Sequence, residues 1–482
     1  MDLERVIAAL APADVIGRAS VEIRDLAYDS RAVEPGTLFF CVPGERADGH
    51  DFAAEAVARG AVALVVDRPL DLSLPQLVVE DVRAAMALVA CEFFGHPSRD
   101  LLVAGVTGTN GKTTTTFLLF AMLAAAGLRP GLLGTIECRV EGERRPAVRT
   151  TAEAIDLQRT LREMLEAGDR SCAMEASSHG SALRRLDGLR FACLVFTNLT
   201  QDHLDFHGTL ERYYQAKRRL FGEEEGPPAA INVGDAYGRR LLAELWALGR
   251  RPLLTFGLTE EADIHPQELE LGPGGSSFVA SGLELKTRLL GRFNVENVLA
   301  AVAAARLLGL PDQAIQAGVA AVRGVPGRFE AVDEGQPFAV VVDYAHTPSS
   351  LANVLATARD LARGRVICVF GCGGDRDRGK RPLMGAVASQ AADLCIVTSD
   401  NPRSEDPDAI IADIVQGVEG QVEVEPDRAR ALARAIEAAR PGDVVVIAGK
   451  GHEQGQEIAG RLLPFDDREV AREVLRRLGA RR

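Results

Sequence analysis

Several things are scarce in this sequence, and each scarcity excludes something. A basic excess is missing: 68 acidic residues against 55 Lys and Arg give a net charge of −13. That balance lacks the basic footprint of a protein that grips a phosphate backbone. Long apolar runs are missing as well, none approaching the roughly 20 residues that a membrane span needs. The first stretch, MDLERVIAALAPADV, carries acids and has no basic region ahead of an apolar core, so no secretory leader is expected. Cysteines number eight, at 41, 91, 138, 172, 193, 368, 372 and 395, but no C-x-x-C pair of the zinc type occurs among them. Several lie in apolar strings such as RVICVFG and read as buried thiols of a reduced, cytoplasmic protein. Tryptophan occurs once, yet 47% hydrophobic and 26% charged residues are ordinary globular proportions.

What is present divides into three blocks, as 482 residues suggest at roughly 100 to 200 residues per domain. Residues 1–98 hold short strands (LFFCVP, VALVVD, LVVE) among helical stretches, and the string FFGHPSRD breaks the pattern. Residues 99–324 open on the apolar strand LLVAGV and repeat strand then polar turn: GLLGTIE, SCAMEASS, ACLVFTNLT, AAINVG, LLTFG. Continuous apolar runs between helical segments predict parallel strands buried on both faces. The block closes on two helices over 291–322, and RGVPGRFE reads as a linker. Residues 325–482 restart the alternation with FAVVVDYA, RVICVFG, DLCIVTSD and VVVIAGK. The expected fold class is therefore α/β with three domains. The central one is a parallel sheet of the P-loop ATPase type, and the C-terminal one is Rossmann-like. No internal repeat or low-complexity segment interrupts it.

The most telling string is LLVAGVTGTNGKTTTTFLLF, residues 101–120. An apolar strand, a Gly-rich turn and Lys-Thr opening a helix form the layout that phosphates need, because main-chain N–H groups and the helix N-terminus converge there. Lys112 can reach terminal phosphates, and the Thr113 hydroxyl can ligate Mg²⁺. The spacing, however, departs from G-x-x-x-x-G-K-[ST]: five residues before Gly111 stands Val106, not glycine.

GTNGKT, Gly108 to Thr113, resembles the loop of the Mur ligase superfamily, enzymes that join an amino acid to a carboxylate at the expense of ATP. The resemblance runs through all three blocks and is nearest to the MurE-type branch, which serves peptidoglycan synthesis. It implies ATP contacts at Gly108, Thr109, Asn110, Gly111, Lys112, Thr113 and Thr114. In GRFNVENVLAA it implies adenine contacts at Asn294 and Asn297, residues that alone read as helix caps. PGRFE adds Arg328, and VVVDYAHTP adds Asp343 and His346, an Asp at a strand end being suited to ribose hydroxyls. With ligands drawn from two blocks, ATP is expected to lie between domains, where closure excludes water.

In CAMEASSHG, Glu175 ends a strand and, beside a phosphate loop, is a metal-ligand candidate. The next polar cluster, in TQDHLDFHG, holds Asp202, His203, Asp205 and His207 and by itself reads mostly as a solvated loop. The resemblance assigns His203 to a second Mg²⁺ and makes Lys217 a carbamylated lysine (N6-carboxylysine). Addition of CO₂ would turn that amine into an anion suited to a two-metal site. By spacing alone Lys217 is equally a surface cation beside Arg218 and Arg219.

The resemblance carries the UDP end to Ser30 in YDSRAVEPG and to Glu45, Arg46 and Ala47; without it, Asp29-Ser30-Arg31 is only a turn. It carries the sugar-peptide to Thr150 and Thr151 of RTTAEA and to Ser177 and Arg185 of SSHGSALRR. Leu183 departs from the pattern, standing where some relatives have a polar contact. For the incoming amino acid, Asp400-Asn401-Pro402-Arg403 resembles the meso-diaminopimelate signature, with Arg376, Gly449 and Glu453 as further contacts. The chemistry agrees: this amino acid carries one distal carboxylate more than lysine, and a planar Arg fork binds a carboxylate through two hydrogen bonds.

The expected activity is ATP-dependent ligation of meso-diaminopimelate to UDP-N-acetylmuramoyl-L-alanyl-D-glutamate through an acyl-phosphate, with Mg²⁺, by a monomer without nucleic-acid or integral-membrane partners. Rival readings are a lysine-adding ligase, a folate-type polyglutamate ligase, and a P-loop switch without turnover. The last leaves Glu175, His203 and Lys217 without a purpose.

Overall fold

A computed structural model describes residues 1–17, 20–44, 47–222, 225–272 and 274–479. The chain forms two compact units. One comprises Met1–Gly105, Leu128–Leu194 and Ala216–Pro227; the other comprises Val106–Gly127, Val195–Gln215 and Pro228–Arg482.

The first unit opens on a five-stranded sheet. Asp25–Ala27, Thr37–Phe40, Ala61–Val66 and Gln76–Val78 pair in parallel, and Asp14–Ile16 closes one edge antiparallel to Gln76–Val78. Leu38, Phe40, Ala63 and Val65 face one apolar cluster, whereas Phe39, Leu64 and Val66 face another. Successive strand side chains point to opposite faces, so burial on both faces demands an unbroken apolar run. The same unit holds Ser171–Glu175, parallel to Pro130–Leu133, followed by two antiparallel strands, Glu137–Val140 and Glu143–Pro146. These two strands modify the expected all-parallel central sheet. The outer strand, ERRP, is polar and largely exposed, whereas ECRV, one strand in, buries Glu137 and Val140.

In the second unit, helix Lys112–Ala125 packs on helix Asp312–Ala321 and on Arg292–Leu307, the pair expected over 291–322. Ala229–Asn232 and Leu253–Phe256 pair in parallel. A three-stranded antiparallel sheet over residues 267–287 was not among the expected elements. Its strands are short and alternate, as in LELKT, whose pattern is buried, exposed, buried, exposed, buried.

The C-terminal sheet has six strands in the order Glu330–Ala331, Ala339–Asp343, Val444–Ala448, Val366–Phe370, Leu394–Val397 and Glu423–Val424. Only the first is antiparallel. Val341, Cys368, Phe370, Val444 and Val446 enter one core, and Val340, Val342, Ile367, Val369 and Val445 the other. At about 1.5–3 kcal/mol per fully buried Val or Ile side chain, these two layers are the main stabilisation of the sheet. Parallel strands place all their C-terminal ends on one edge, and the loops that leave it carry the candidate site residues.

Candidate active site

Strand Leu102–Thr107 runs into a turn whose glycines are irreplaceable in place. Gly108 has φ +148 and Gly111 φ +85; a Cβ at Gly108 would lie 1.8 Å from Thr197 Oγ1, and one at Gly111 would lie 2.3 Å from Asn297 Oδ1. The turn is pinned from below. Thr109 N donates to Asn198 O at 2.8 Å, Asn110 N to Asn198 Oδ1 at 2.8 Å, and Thr197 Oγ1 to Asn110 O at 2.6 Å. Thr109 Oγ1 accepts from Thr200 N at 3.0 Å and sits 3.1 Å from the Tyr213 hydroxyl. Lys112 folds back so that Nζ donates to Gly108 O at 3.0 Å and Thr109 O at 2.9 Å. Main-chain carbonyls thus hold the ammonium beside the helix N-terminus, where an anion would meet both.

Five expected nucleotide residues, Asn294, Asn297, Arg328, Asp343 and His346, belong to the same unit as this loop. Asn297 Nδ2 donates to Asn294 Oδ1 at 3.0 Å, and Asn294 Nδ2 to Leu290 O at 2.8 Å, so neither side chain caps the helix as the bland reading had it. Arg328 Nη2 donates to Thr113 Oγ1 at 3.1 Å, and its guanidinium lies 4.5 Å from the Tyr344 ring centroid. Asn110 Nδ2 donates to Ser349 Oγ at 3.3 Å. Asp343 is buried and accepts from Phe329 N at 2.6 Å; burial pushes its carboxyl above the usual range, against the pull of Arg328. His346 donates from Nδ1 to Tyr344 O at 2.8 Å, leaving Nε2 3.4 Å from Asp202 Oδ2.

Asp202 is a centre that the solvated-loop reading missed. It is only 4% exposed, with His203 at 3.4 Å, His346 at 3.4 Å and Lys380 at 3.8 Å. Burial alone would raise its carboxyl, but these three groups hold it well below the usual range. His203 itself takes φ +55, a left-handed conformation rare outside glycine. His207 is buried against Tyr213, with ring centroids 4.9 Å apart, and Asp205 is exposed.

In the first unit a hydrogen-bonded group surrounds Glu175, which is 1% exposed. Its Oε1 accepts from Thr135 N at 2.8 Å and its Oε2 from Thr135 Oγ1 at 3.0 Å; it is not a helix cap. Thr150 Oγ1 lies 3.0 Å from Thr135 Oγ1, and Thr151 Oγ1 donates to Glu175 O at 2.9 Å. Ser177 accepts from Gly180 N at 3.0 Å and caps helix Ser178–Ala182. Arg185 Nη1 donates to Thr151 O at 3.1 Å, and Nη2 pairs with Glu153 at 2.7 Å. A cavity of about 450 Å³ adjoins this group, lined among others by Tyr28, Arg149, Thr150, Thr151 and Glu153. Glu153 was missed beforehand, although it stands inside RTTAEA; a carboxylate 5% exposed among Arg83, Arg149 and Arg185 holds the wall in place. Lys217, on helix Leu210–Arg218, is 1% exposed, which removes the surface-cation alternative.

Ser30 is buried with Oγ donating to Glu55 Oε2 at 3.1 Å, in a turn that Asp29 caps through Arg31 N. It does not line the cavity. Ala47 is exposed; Glu45 and Arg46 lie outside the described residues. Leu183 is half-buried.

The residues expected to contact the incoming amino acid lie in loops after strands of the C-terminal sheet. Asp400 Oδ1 accepts from Asn401 N at 2.7 Å, and a Cβ on Gly449 would fall 2.4 Å from Asp400 Oδ2. Asn401 Nδ2 donates to Glu453 Oε2 at 2.8 Å. Arg403, after Pro402, has φ +53; its Nη1 donates to Gly374 O at 2.7 Å and its Nε lies 3.3 Å from Glu457 Oε2. The side chain is thus fixed rather than solvated. Arg376 is exposed and donates to Asp375 O at 2.8 Å. Beneath them lie buried cations that the strand pattern hid: Arg381 on Glu405 and Asp413, Arg428 on Asp467, and Lys450 on Glu453. The Arg381 guanidinium, with Arg378 beside it, holds the Glu405 carboxyl down to about 2.

The chain matches three family models: Mur ligase family, catalytic domain, over 22–93; Mur ligase middle domain over 106–305; and Mur ligase, glutamate ligase domain, over 327–451. It is 49% identical over 478 residues to a UDP-N-acetylmuramoyl-L-alanyl-D-glutamate--2,6-diaminopimelate ligase of Solibacter usitatus (strain Ellin6076), covering 96% of this chain and 95% of that protein. A protein of the same name from Geobacillus thermodenitrificans (strain NG80-2) is 45% identical over 489 residues, with 99% of both chains covered. Among solved structures, a ligase of that name superposes with a TM-score of 0.69 at 34% identity over 99% of both chains. The MurF ligase of Thermotoga maritima in complex with ADP shares the fold, with a TM-score of 0.67 at 21% identity over 95% of this chain and 99% of that one. The shortened GTNGKT loop, the three successive model matches and the full-length relatives agree, and the chain belongs to the Mur ligase family.

Proposed function

We propose that this chain joins meso-diaminopimelate to UDP-N-acetylmuramoyl-L-alanyl-D-glutamate, with ATP cleaved to ADP and phosphate, as a step of peptidoglycan synthesis in the cytoplasm. The observation that carries the reading is identity spread over all three blocks to proteins of that name, 49% over 478 residues. The block bounds proposed for the three domains are 1–98, 99–324 and 325–482, serving the UDP-linked substrate, ATP and the incoming amino acid in turn.

The chemistry proceeds in two steps. One of the two free carboxylates of the D-glutamyl residue attacks the γ-phosphorus of ATP, and ADP leaves. The amine of meso-diaminopimelate then attacks the acyl carbon, loses its proton, and phosphate departs as the amide forms. Charge builds on the transferring phosphoryl oxygens, so positioned cations supply most of the help. Lys112 takes that role, a reading supported by its Nζ being held on Gly108 O and Thr109 O beside the helix N-terminus. Asn294, Asn297, Arg328, Asp343 and His346 orient the nucleoside and its phosphates. Thr150, Thr151, Ser177 and Arg185 position the sugar-peptide beside the cavity, with Ser30 and the segment through Ala47 toward its nucleotide. Arg403, with Arg376, Asp400, Asn401, Pro402, Gly449 and Glu453, binds the incoming amino acid.

The donor set suits Mg²⁺. Glu175 and Thr113 offer hard oxygens, and among the described residues no group of three or more His, Cys, Asp or Glu forms a ready cage. Mg²⁺ in phosphoryl-transfer sites takes one or two protein oxygens and completes its shell with phosphate and water. The proposed Mg²⁺ ligands are Thr113 and His203 on one unit, and Glu175 and carbamylated Lys217 on the other. Such ions neutralise charge on the phosphates.

The deciding test is phosphate release with each substrate omitted in turn, and with meso-diaminopimelate against L-lysine. Release that needs the dipeptide, ATP and meso-diaminopimelate together is expected. Equal use of lysine refutes the assigned amino acid, and release without any amino acid refutes the ligase.

A further inference from the structure

Lys450 is 0% exposed, at the end of strand Val444–Ala448. A buried ammonium is costly, and replacing a buried ion pair by apolar residues of similar volume is often neutral for stability. Its presence therefore asks for a role in geometry. Nζ donates to Asn401 Oδ1 at 2.9 Å and to Glu453 Oε2 at 2.9 Å, while Asn401 Nδ2 donates to Glu453 Oε2 at 2.8 Å. Glu457 N also donates to Asn401 Oδ1, at 3.0 Å. An ammonium and a main-chain N–H can only donate, so they settle which end of the Asn401 amide is oxygen. That choice turns Nδ2 to Glu453. All of these bonds on Glu453 fall on Oε2, and Oε1 accepts none among the described residues.

We propose that Lys450 is a positioning residue for the incoming amino acid: it locks the Asn401 amide and one oxygen of Glu453, leaving the other oxygen of Glu453 presented to a ligand ammonium. The inference rests on the amino-acid site proposed above. Lys450 joins two loops, 398–403 and 449–454, that leave different strands of the sheet. Without its charge the carboxylate and the amide are not held in register, and the ligand meets a site that must be ordered on binding.

The test is a double-substitution cycle on the full chain, reading KM for all three substrates. Lys450→Met removes two hydrogen bonds to or from charged groups, so the KM for meso-diaminopimelate rises at least about tenfold. The KM for ATP and for the muramoyl dipeptide moves by no more than about twofold, since those sites lie outside the triangle. In an Asn401→Ala background the same substitution adds less than it does in the wild type, because the amide it positions is gone and only its bond to Glu453 is left to lose. Losses that multiply, or KM rising for all three substrates together, overturn the proposal and leave Lys450 a purely structural residue. Lys450→Gln, with an uncharged donor, gives the same readings where the methionine chain does not fold, and a wild-type KM in either variant overturns the proposal. If the wild type turns over with another amino acid instead, the ligand assignment fails. The coupling between positions 450 and 401 is then read with that amino acid.

Discussion

Substitution of Arg403 by alanine separates recognition from folding. The structural loss is modest. The chain forfeits one hydrogen bond, to Gly374 O, which contributes about 0.5–1.5 kcal/mol. It also forfeits a pair with Glu457, which is 44% exposed, and half-exposed pairs contribute about 0–1 kcal/mol. The loop itself stays tied by its main chain, because Arg403 N donates to Glu457 O at 3.0 Å and Ala459 N donates to Arg403 O at 2.7 Å. The loss at the ligand is larger. Removing one partner of a desolvated charge pair costs on the order of 2–5 kcal/mol, or roughly 30-fold to several thousand-fold in affinity. Arg403→Ala is therefore expected to lower kcat/KM for meso-diaminopimelate by that factor while the protein stays folded. L-Lysine has no distal carboxylate, so its poor use is unchanged or improves, because a half-buried guanidinium that it cannot satisfy no longer faces it. The assay is kcat/KM for both amino acids in both proteins, with melting temperature recorded alongside. Equal losses on the two substrates refute the reasoning and make Arg403 a support of the loop.

Three further outcomes are expected. Lys112→Ala lowers kcat by at least about 10³-fold with unchanged circular dichroism, as loss of charge stabilisation in phosphoryl transfer does; near-normal turnover removes the phosphate-loop role. Lys217→Ala loses roughly 10²-fold or more, and both short added carboxylates and Lys217→Glu restore part of it, because the site needs an anion there; an alanine variant that turns over like the wild type refutes the carbamate. Burial, then Arg328 and Arg468 beside it, holds the His452 imidazole down to about 3 from an ordinary 6.5. A base whose pKa falls on folding binds fewer protons folded than unfolded, so its cost to stability grows as pH drops from about 6.5 towards 3. His452→Asn, compared with wild type, is therefore expected to gain relative melting temperature at pH 5 over pH 7.5. A difference independent of pH refutes neutral burial.

Much of the fold was legible because it rests on local signals. VVVIA and VICVF are unbroken apolar runs because both faces of their sheet are covered, and that alone reads as buried parallel strand. The phosphate loop was legible because glycine, lysine and threonine have fixed chemistry at a strand-to-helix turn. The antiparallel strands over 137–146 were not legible, since short polar strands carry weak periodic signals, and those over 267–287 were passed over although Gly275–Ala280 and Leu283–Thr287 alternate in burial.

The site divides in the same way. Lys112 and Glu175 could be proposed from residue type at a strand end, whereas Arg403 was proposed through the resemblance of Asp400-Asn401-Pro402-Arg403 to the family signature. The burial of Asp202 among His203, His346 and Lys380 could not be proposed so, because QDH reads like any polar loop until residues 144 and 178 positions further on are brought against it. Lys217 was ambiguous for that reason, and only packing to 1% exposure decided it. Lys450 shows the limit most sharply. Its sequence neighbours are glycines, and its partner Asn401 lies 49 residues away on another strand end. Sequence by itself determined which elements form and which of their ends face one edge, because periodicity and turn chemistry are local. Tertiary structure alone decided which polar side chains lose water and meet, because desolvation and long-range pairing belong to no single stretch of chain.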